Sequence, residues 1–166
     1  MCSRHPGSVV AVTKHMTTVN QSEAWHARLV TSPESIRRIL ESAKRIAVLG
    51  IKLEPERPAH FVPEYAQRAG YEIIPVPVYY PDAKEILGEK IYRKVADIPG
   101  EVDIVDVFRR PEHIPPHVDD IISKKPRAVW FQSGIRNDEA AERLAKAGIE
   151  VVQDRCLMVE LRRIGK

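Results

Sequence analysis

The sequence predicts an α/β protein, a doubly wound five-stranded parallel sheet with helices on both faces. Five short, nearly continuous apolar runs recur along the chain: Ile46–Leu49, Glu72–Val78, Val102–Phe108, Arg127–Gln132 and Glu150–Gln153. Runs of that kind mark strands buried on both sides. Between them lie segments of helical periodicity, and strand–helix alternation is the signature of parallel sheets joined by crossovers. At 166 residues, 43% of them hydrophobic and 30% charged, the chain is sized and composed for one soluble core. Right-handed crossovers then give the doubly wound layout, with 3-2-1-4-5 as the expected strand order.

Taken in order, residues 1–30 are polar and irregular and read as a flexible tail, with Met16 as an internal start, ahead of a domain at 31–166. Met1–His15 lacks the apolar centre of a secretion signal. Ser32-Pro33-Glu34 is a helix start: a capping hydroxyl, a proline at the first helical position and an acid in the first turn. Ile36, Ile39, Leu40 and Ala43 then form one apolar stripe. Val62, Tyr65, Ala66 and Ala69 share a face of the helix after strand one, which Gly70 ends. Pro75 and Pro77 cannot donate ladder bonds and are expected near the end of strand two. Asp82–Gly100 reads as a partly helical connection with turns at Gly88 and Pro99-Gly100. A short helix at 116–124 follows strand three. After strand four, Asn137 caps a helix in which Glu139–Arg143 and Glu142–Lys146 are spaced as ion pairs. Gly148 ends that helix, and Leu157–Ile164 forms the last one.

Composition excludes several classes. A net charge of +3 without a long basic run argues against nucleic acid as partner. No apolar stretch approaches the roughly 20 residues that span a bilayer. Cys2 and Cys156 make neither a disulfide framework nor a metal spacing, so a reducing cytoplasm is expected. His113 and His117 stand four apart, but Pro115-Pro116 interrupts any helix between them, so no metal site is expected.

In such a sheet ligands gather beyond the carboxyl ends of the strands. After strand one come Gly50, Ile51, Lys52, Leu53 and Glu54, then Arg57, Pro58 and His60. The G-x-G-x-x-G pattern of dinucleotide enzymes is missing, and no acid closes strand two, where Pro77-Val78-Tyr79-Tyr80 stands. The ligand is therefore phosphate-bearing but not NAD. Lys52, Arg57 and Arg109 are candidate phosphate donors, the helix starting at Pro58–His60 adds N–H groups, and Val76, Tyr79 and Phe108 are candidate walls for an adenine.

Three blocks carry a family resemblance: RIAVLGIKLEPERPAHFVPEYAQRAGYEIIPV, EILGEKIYRKVADIPGEVDIVDVFRRPEHI and AVWFQSGIRNDEAAERLAKAGIEVVQDRC. Their most specific pieces are Glu56-Arg57-Pro58, Val105-Asp106-Val107-Phe108-Arg109 and Asp154-Arg155-Cys156. Over residues 32–165 the chain resembles the stand-alone CoA-binding domain proteins, a family similar to the amino-terminal domain of the succinyl-CoA synthetase α subunit. The resemblance implies a Rossmann-like fold with coenzyme A or an acyl-CoA as its small-molecule partner. It carries contacts onto Lys52–Arg57, Val76–Tyr79, Phe108–Arg109, and Phe131, Gln132 and Ser133. Two features depart from the family: Leu53, Glu54, Pro55 and Glu56 replace a small-residue turn, and Tyr79-Tyr80-Pro81 follows strand two. No second domain with an active-site histidine follows, so the expectation is binding without catalysis by this chain alone.

An alternative reading is a thiol enzyme or redox protein acting on CoA derivatives through Cys156, against a small packed cysteine. Another is a regulatory module, as a homodimer or with a protein docked on the Ile36–Ala43 stripe or on an exposed helix. Asp103 and Asp106 fall on opposite faces of strand three and are no acid–base pair; Asp106 is expected to accept backbone N–H bonds from a neighbouring loop.

Overall fold

The structure is a computed structural model describing residues 23–166. Cys2, Met16 and the other residues of 1–22 lie outside the described residues. Seven strands are present among the described residues: β1 (Arg45–Leu49), β2 (Glu72–Val76), β3 (Glu85–Ile86), β4 (Glu89–Lys90), β5 (Ile104–Val107), β6 (Ala128–Phe131) and β7 (Glu150–Val152). The helices are α1 (Pro33–Ser42), α2 (Pro58–Arg68), α3 (Val118–Lys124), α4 (Asp138–Lys146) and α5 (Leu157–Arg163). Five strands make one parallel sheet, β2-β1-β5-β6-β7, and β3 and β4 make a small antiparallel hairpin.

The α/β fold is therefore as read from the sequence, but the third predicted strand, now β5, lies beside β1 (Ile46 opposite Ile104) rather than outside β2. Pro75 suits this edge position. The Val76 carbonyl faces β1 and accepts from Gly50 N–H at 2.9 Å, whereas the Pro75 carbonyl faces outward and accepts from Tyr92 N–H at 2.9 Å. The N–H and C=O of one strand residue point to the same side, so Pro75 lacks its donor on the outer side of β2. A further strand there would meet a gap in the ladder, and prolines of this kind belong at sheet edges. The chain instead returns over β1 and adds β5 on its other side.

Alternate residues along the strands feed two cores. Ala47, Leu49, Val105, Val107, Val129 and Phe131 pack with α3 and α4; Ile46, Val48, Ile104, Trp130 and Val152 pack with α1, α2 and α5. Ser32 accepts from Ser35 N–H (3.2 Å) and Asn137 from Ala140 N–H (2.9 Å), so both caps stand where the sequence puts them.

Four local expectations change. Residues 23–30 are not tail: Val30 N–H donates to Val151 O at 2.8 Å, Leu29 bridges to Val151, and Trp25 packs on the core. Asp82–Gly100 contains the β3–β4 hairpin and a 3-10 turn at Val95–Asp97 in place of helix, because Leu87 and Gly88 both take positive φ (53° and 74°) in a two-residue turn. Arg143 pairs with Asp119 at 2.6 Å rather than with Glu139, while Lys146–Glu142 forms at 2.6 Å. The stripe of α1 is no free docking face, since Ile36, Ile39, Leu40 and Ala43 are all buried in the core.

Candidate functional site

Strand order places the site. The sheet reverses direction between β1 and β5, so the loops leaving these strands diverge and open a crevice between them. At its base Gly50 has φ +85°, and a Cβ there would run into the Phe108 carbonyl oxygen, so this turn requires glycine. The chain next buries Ile51 completely and then ties the loop to α2: Lys52 N–H donates to Ala59 O (3.2 Å), and His60 Nδ1 lies 2.8 Å from Lys52 O. Arg57 is the N-cap of α2 with no side-chain cap bond, and Pro58 opens the helix.

A cleft of about 490 Å³ results, lined by Lys52, Glu54, Arg57, Tyr79, Phe108, Arg109, Arg110 and His113. Lys52, Arg57, Tyr79, Phe108 and Arg109 are thus brought together from three loops. Gly50, Leu53 and Pro58 belong to the same turn. Other predicted contacts stand apart. Val76 and Phe131, like Ile51, have no exposed surface. His60 is buried, with Nε2 3.4 Å from Glu64, and serves the α2 turn rather than the cleft. Gln132 is buried and Ser133 is exposed one strand further along, outside the cleft lining. Had the sheet run 3-2-1-4-5, the reversal would fall between β1 and β6, beside these two residues. Arg110 and His113, which the sequence reading did not select, enter because β5 is the neighbour of β1.

The electrostatics of the cleft set it apart. None of Lys52, Arg57, Arg109 and Arg110 forms an ion pair with a carboxylate among the described residues, and Arg109 Nε is buried without a hydrogen-bond partner there. The cleft's one acid, Glu54, is occupied. It accepts from the Tyr80 hydroxyl at 2.5 Å, and that bond first, then its own backbone N–H, holds its carboxyl below the usual range. Tyr80 takes φ +64°, and its phenol is raised by burial and by the bond to Glu54. Arg93 fixes this loop by donating to the carbonyls of Tyr79 (3.0 Å) and Tyr80 (2.7 Å). Lys52 Nζ lies 3.9 Å from the centroid of the Tyr79 ring. Behind the cleft His117 is lowered by burial and then by the Arg109 charge.

Away from the cleft, Asp106 is fully buried and accepts from Gln132 Nε2 at 2.7 Å, while Gln132 Oε1 accepts from Leu157 N–H at 3.3 Å. Burial pushes the Asp106 carboxyl up to about 8, against the bond from Gln132. The backbone-tethering role expected of Asp106 belongs to Asp103, whose Oδ2 accepts from Lys44 and Arg45 N–H at 2.9 Å each. Cys156 is half-buried against the α5 core at the helix N-cap and does not line the cleft. His113 and His117 sit in successive 3-10 turns, the second opened by Pro115.

A doubly wound parallel sheet with a crevice at its reversal defines a Rossmann-like protein. Residues 44–162 match the CoA binding domain family, and the chain belongs to that family. It is similar to protein YneT of Bacillus subtilis (strain 168), 40% identical over 128 residues that cover 77% of this chain and 93% of that one. The solved structure of cell-free ID.343 from Thermus thermophilus is 43% identical with TM-score 0.75, covering 81% of this chain and 99% of that one. A likeness of fold alone extends to the dinucleotide-forming acetyl-coenzyme A synthetase 1 of Ca. Korarchaeum cryptofilum, at 23% identity and TM-score 0.56 over 65% of this chain and 25% of that one. No helix among the described residues is long and apolar enough to cross a membrane.

Proposed function

We propose that this protein binds coenzyme A or an acyl-CoA in the cleft between the loops after β1 and β5; no chemical step is assigned to the site. The carrying observation is a set of cations without ion-pair partners among the described residues, Lys52, Arg57, Arg109 and Arg110, around one cleft, where most other described arginines are paired. Coenzyme A carries a diphosphate and a 3′-phosphate, and charge-assisted donors are what such groups require. Membership of the CoA binding domain family supports the same ligand. In this reading Arg57, Arg109 and Lys52 neutralise phosphate, the N-terminus of α2 adds its dipole, and Tyr79 and Phe108 flank the base. The pantetheine arm leaves over Phe108 toward exposed Ser133.

Calorimetric titration with CoA, acetyl-CoA and a longer acyl-CoA tests the proposal. Arg57→Ala is expected to lose on the order of 1–3 kcal/mol of binding free energy if it makes a charge-assisted phosphate contact. Affinity is also expected to fall as salt rises, because exposed charges are screened beyond about 8–10 Å at ordinary ionic strength. Absence of heat with all three ligands would remove the reading.

A further inference from the structure

The geometry points to Lys52 as a specificity latch, its ammonium covering the Tyr79 ring so that a flat base gains that ring only when the same ligand brings a phosphate to receive the lysine. The inference rests on the proposal that the cleft takes a phosphate-bearing adenine nucleotide, and adds to it which ligands are refused.

The two partners differ in mobility. Tyr79 is 52% exposed, but its backbone is held by the Arg93 guanidinium, and the next residue is locked by the Tyr80–Glu54 bond. On that held backbone the ring turns about only two side-chain torsions and is the less mobile of the pair. Lys52 is anchored only through its backbone, to Ala59 and His60, and its four-carbon stem is free to swing. Glu54 attracts the ammonium through the cleft but forms no ion pair with it among the described residues, its Oε2 accepting from the Tyr80 hydroxyl at 2.5 Å. At 3.9 Å from the centroid, the ammonium lies within cation–π range of a ring that a base would otherwise stack on.

An uncharged nucleoside entering this cleft must break the lysine–ring contact and supplies the ammonium with no new partner. A nucleotide breaks the same contact but supplies a phosphate oxygen to the ammonium as it swings off the ring. Base stacking and phosphate binding are thereby coupled, and Lys52 both attracts the correct ligand and obstructs the uncharged one. Selectivity built this way uses a repulsive element as well as an attractive one.

The test is NMR titration of the full chain with adenosine and with adenosine 3′,5′-bisphosphate, for the wild type, Lys52→Ala, and the Lys52→Ala/Tyr79→Ala double variant. In Lys52→Ala, adenosine affinity is expected to rise about two- to five-fold, the equivalent of one exposed cation–π contact. Bisphosphate affinity is expected to fall about ten-fold in the same variant. The double variant is expected to lose the adenosine gain, since the ring that yields it is gone. Unchanged, reduced or undetectable adenosine binding in Lys52→Ala overturns the latch, as does a gain that survives in the double variant. Parallel titration with CoA separates the failures: no CoA binding by the wild type sinks the proposed function, whereas normal CoA binding with unchanged adenosine affinity sinks the latch alone.

Discussion

The two halves of the sheet's carboxyl edge are built from similar residues and used differently. Beyond β1, β2 and β5 several polar side chains stay unpaired with acids: Lys52, Arg57, Arg109 and Arg110 face a cleft without carboxylate partners among the described residues, although Glu54 and Tyr80 bond each other there. Beyond β6 and β7 they are engaged. Gln132 joins Asp106 to α5, Asp154 accepts from Gly134 N–H at 2.6 Å, and Arg155 reaches both Glu160 (3.6 Å) and the Thr31 carbonyl (3.3 Å). Position at a strand end does not by itself leave a side chain available to a ligand. Unspent hydrogen-bonding and charge capacity does, because a group already paired gains little from a ligand.

Several experiments can break this contrast. The largest effect is expected at the hinge of the open half. Gly50→Ala sets a Cβ against the Phe108 carbonyl in a left-handed backbone, and should cost about 3 kcal/mol or more of stability in a denaturant titration. Full stability in that variant would mean that β1 and β5 approach less closely than described.

On the closed half, Asp106 supplies a pH signature. Its folded-state carboxyl is raised to about 8 while the unfolded chain titrates near the usual carboxylate range, so between these values the folded state holds the extra proton. Stability conferred by that proton is present at low pH, falls as pH rises toward about 8 and levels off above it. Asp106→Asn should flatten this slope, gaining on wild type by a few kcal/mol between about pH 5 and pH 9. Parallel stability curves for the two proteins would refute it.

A paired measurement then sharpens the comparison directly. Gln132→Ala leaves the buried Leu157 N–H and the Asp106 carboxyl unpaired and should lose about 1–3 kcal/mol of stability with CoA affinity retained. Arg109→Ala should show the reverse, about 1–3 kcal/mol lost from CoA binding with the melting temperature nearly unchanged. Interchanged outcomes would reassign the two halves. The smallest effect is expected for Arg37→Ala, an exposed i,i+4 partner of Glu41 at 2.7 Å, which should shift both quantities by no more than about 0.5 kcal/mol.

Much of the fold was legible in the chain, because strand runs, helix stripes and caps are encoded within windows of a few residues. Ser32 and Asn137 cap where their spacing says, and the alternation of elements is sufficient for a parallel sheet. About half of the candidate site was legible by the same route, as Lys52, Arg57, Tyr79, Phe108 and Arg109 follow strand ends. Arg110 and His113 were missed, and Val76, Phe131 and His60 selected, because strand order and side-chain direction at a loop are not local properties. Asp103 and Asp106 show this in two residues of one segment: one tethers the chain before β1, the other lies unexposed in the core, and no pattern within the segment distinguishes them.

The amino-acid order alone therefore settled the five sheet strands, the five helices, the α/β class and the cationic, aromatic character of the strand ends, since each depends on neighbours in sequence. Tertiary structure decided which strand lies beside β1, hence where the crevice opens, which arginines find carboxylates and which ring Lys52 covers. Those outcomes depend on groups dozens of residues apart: Ile46 pairs with Ile104, Pro75 suits β2 to the sheet edge, and the cleft follows from that placement.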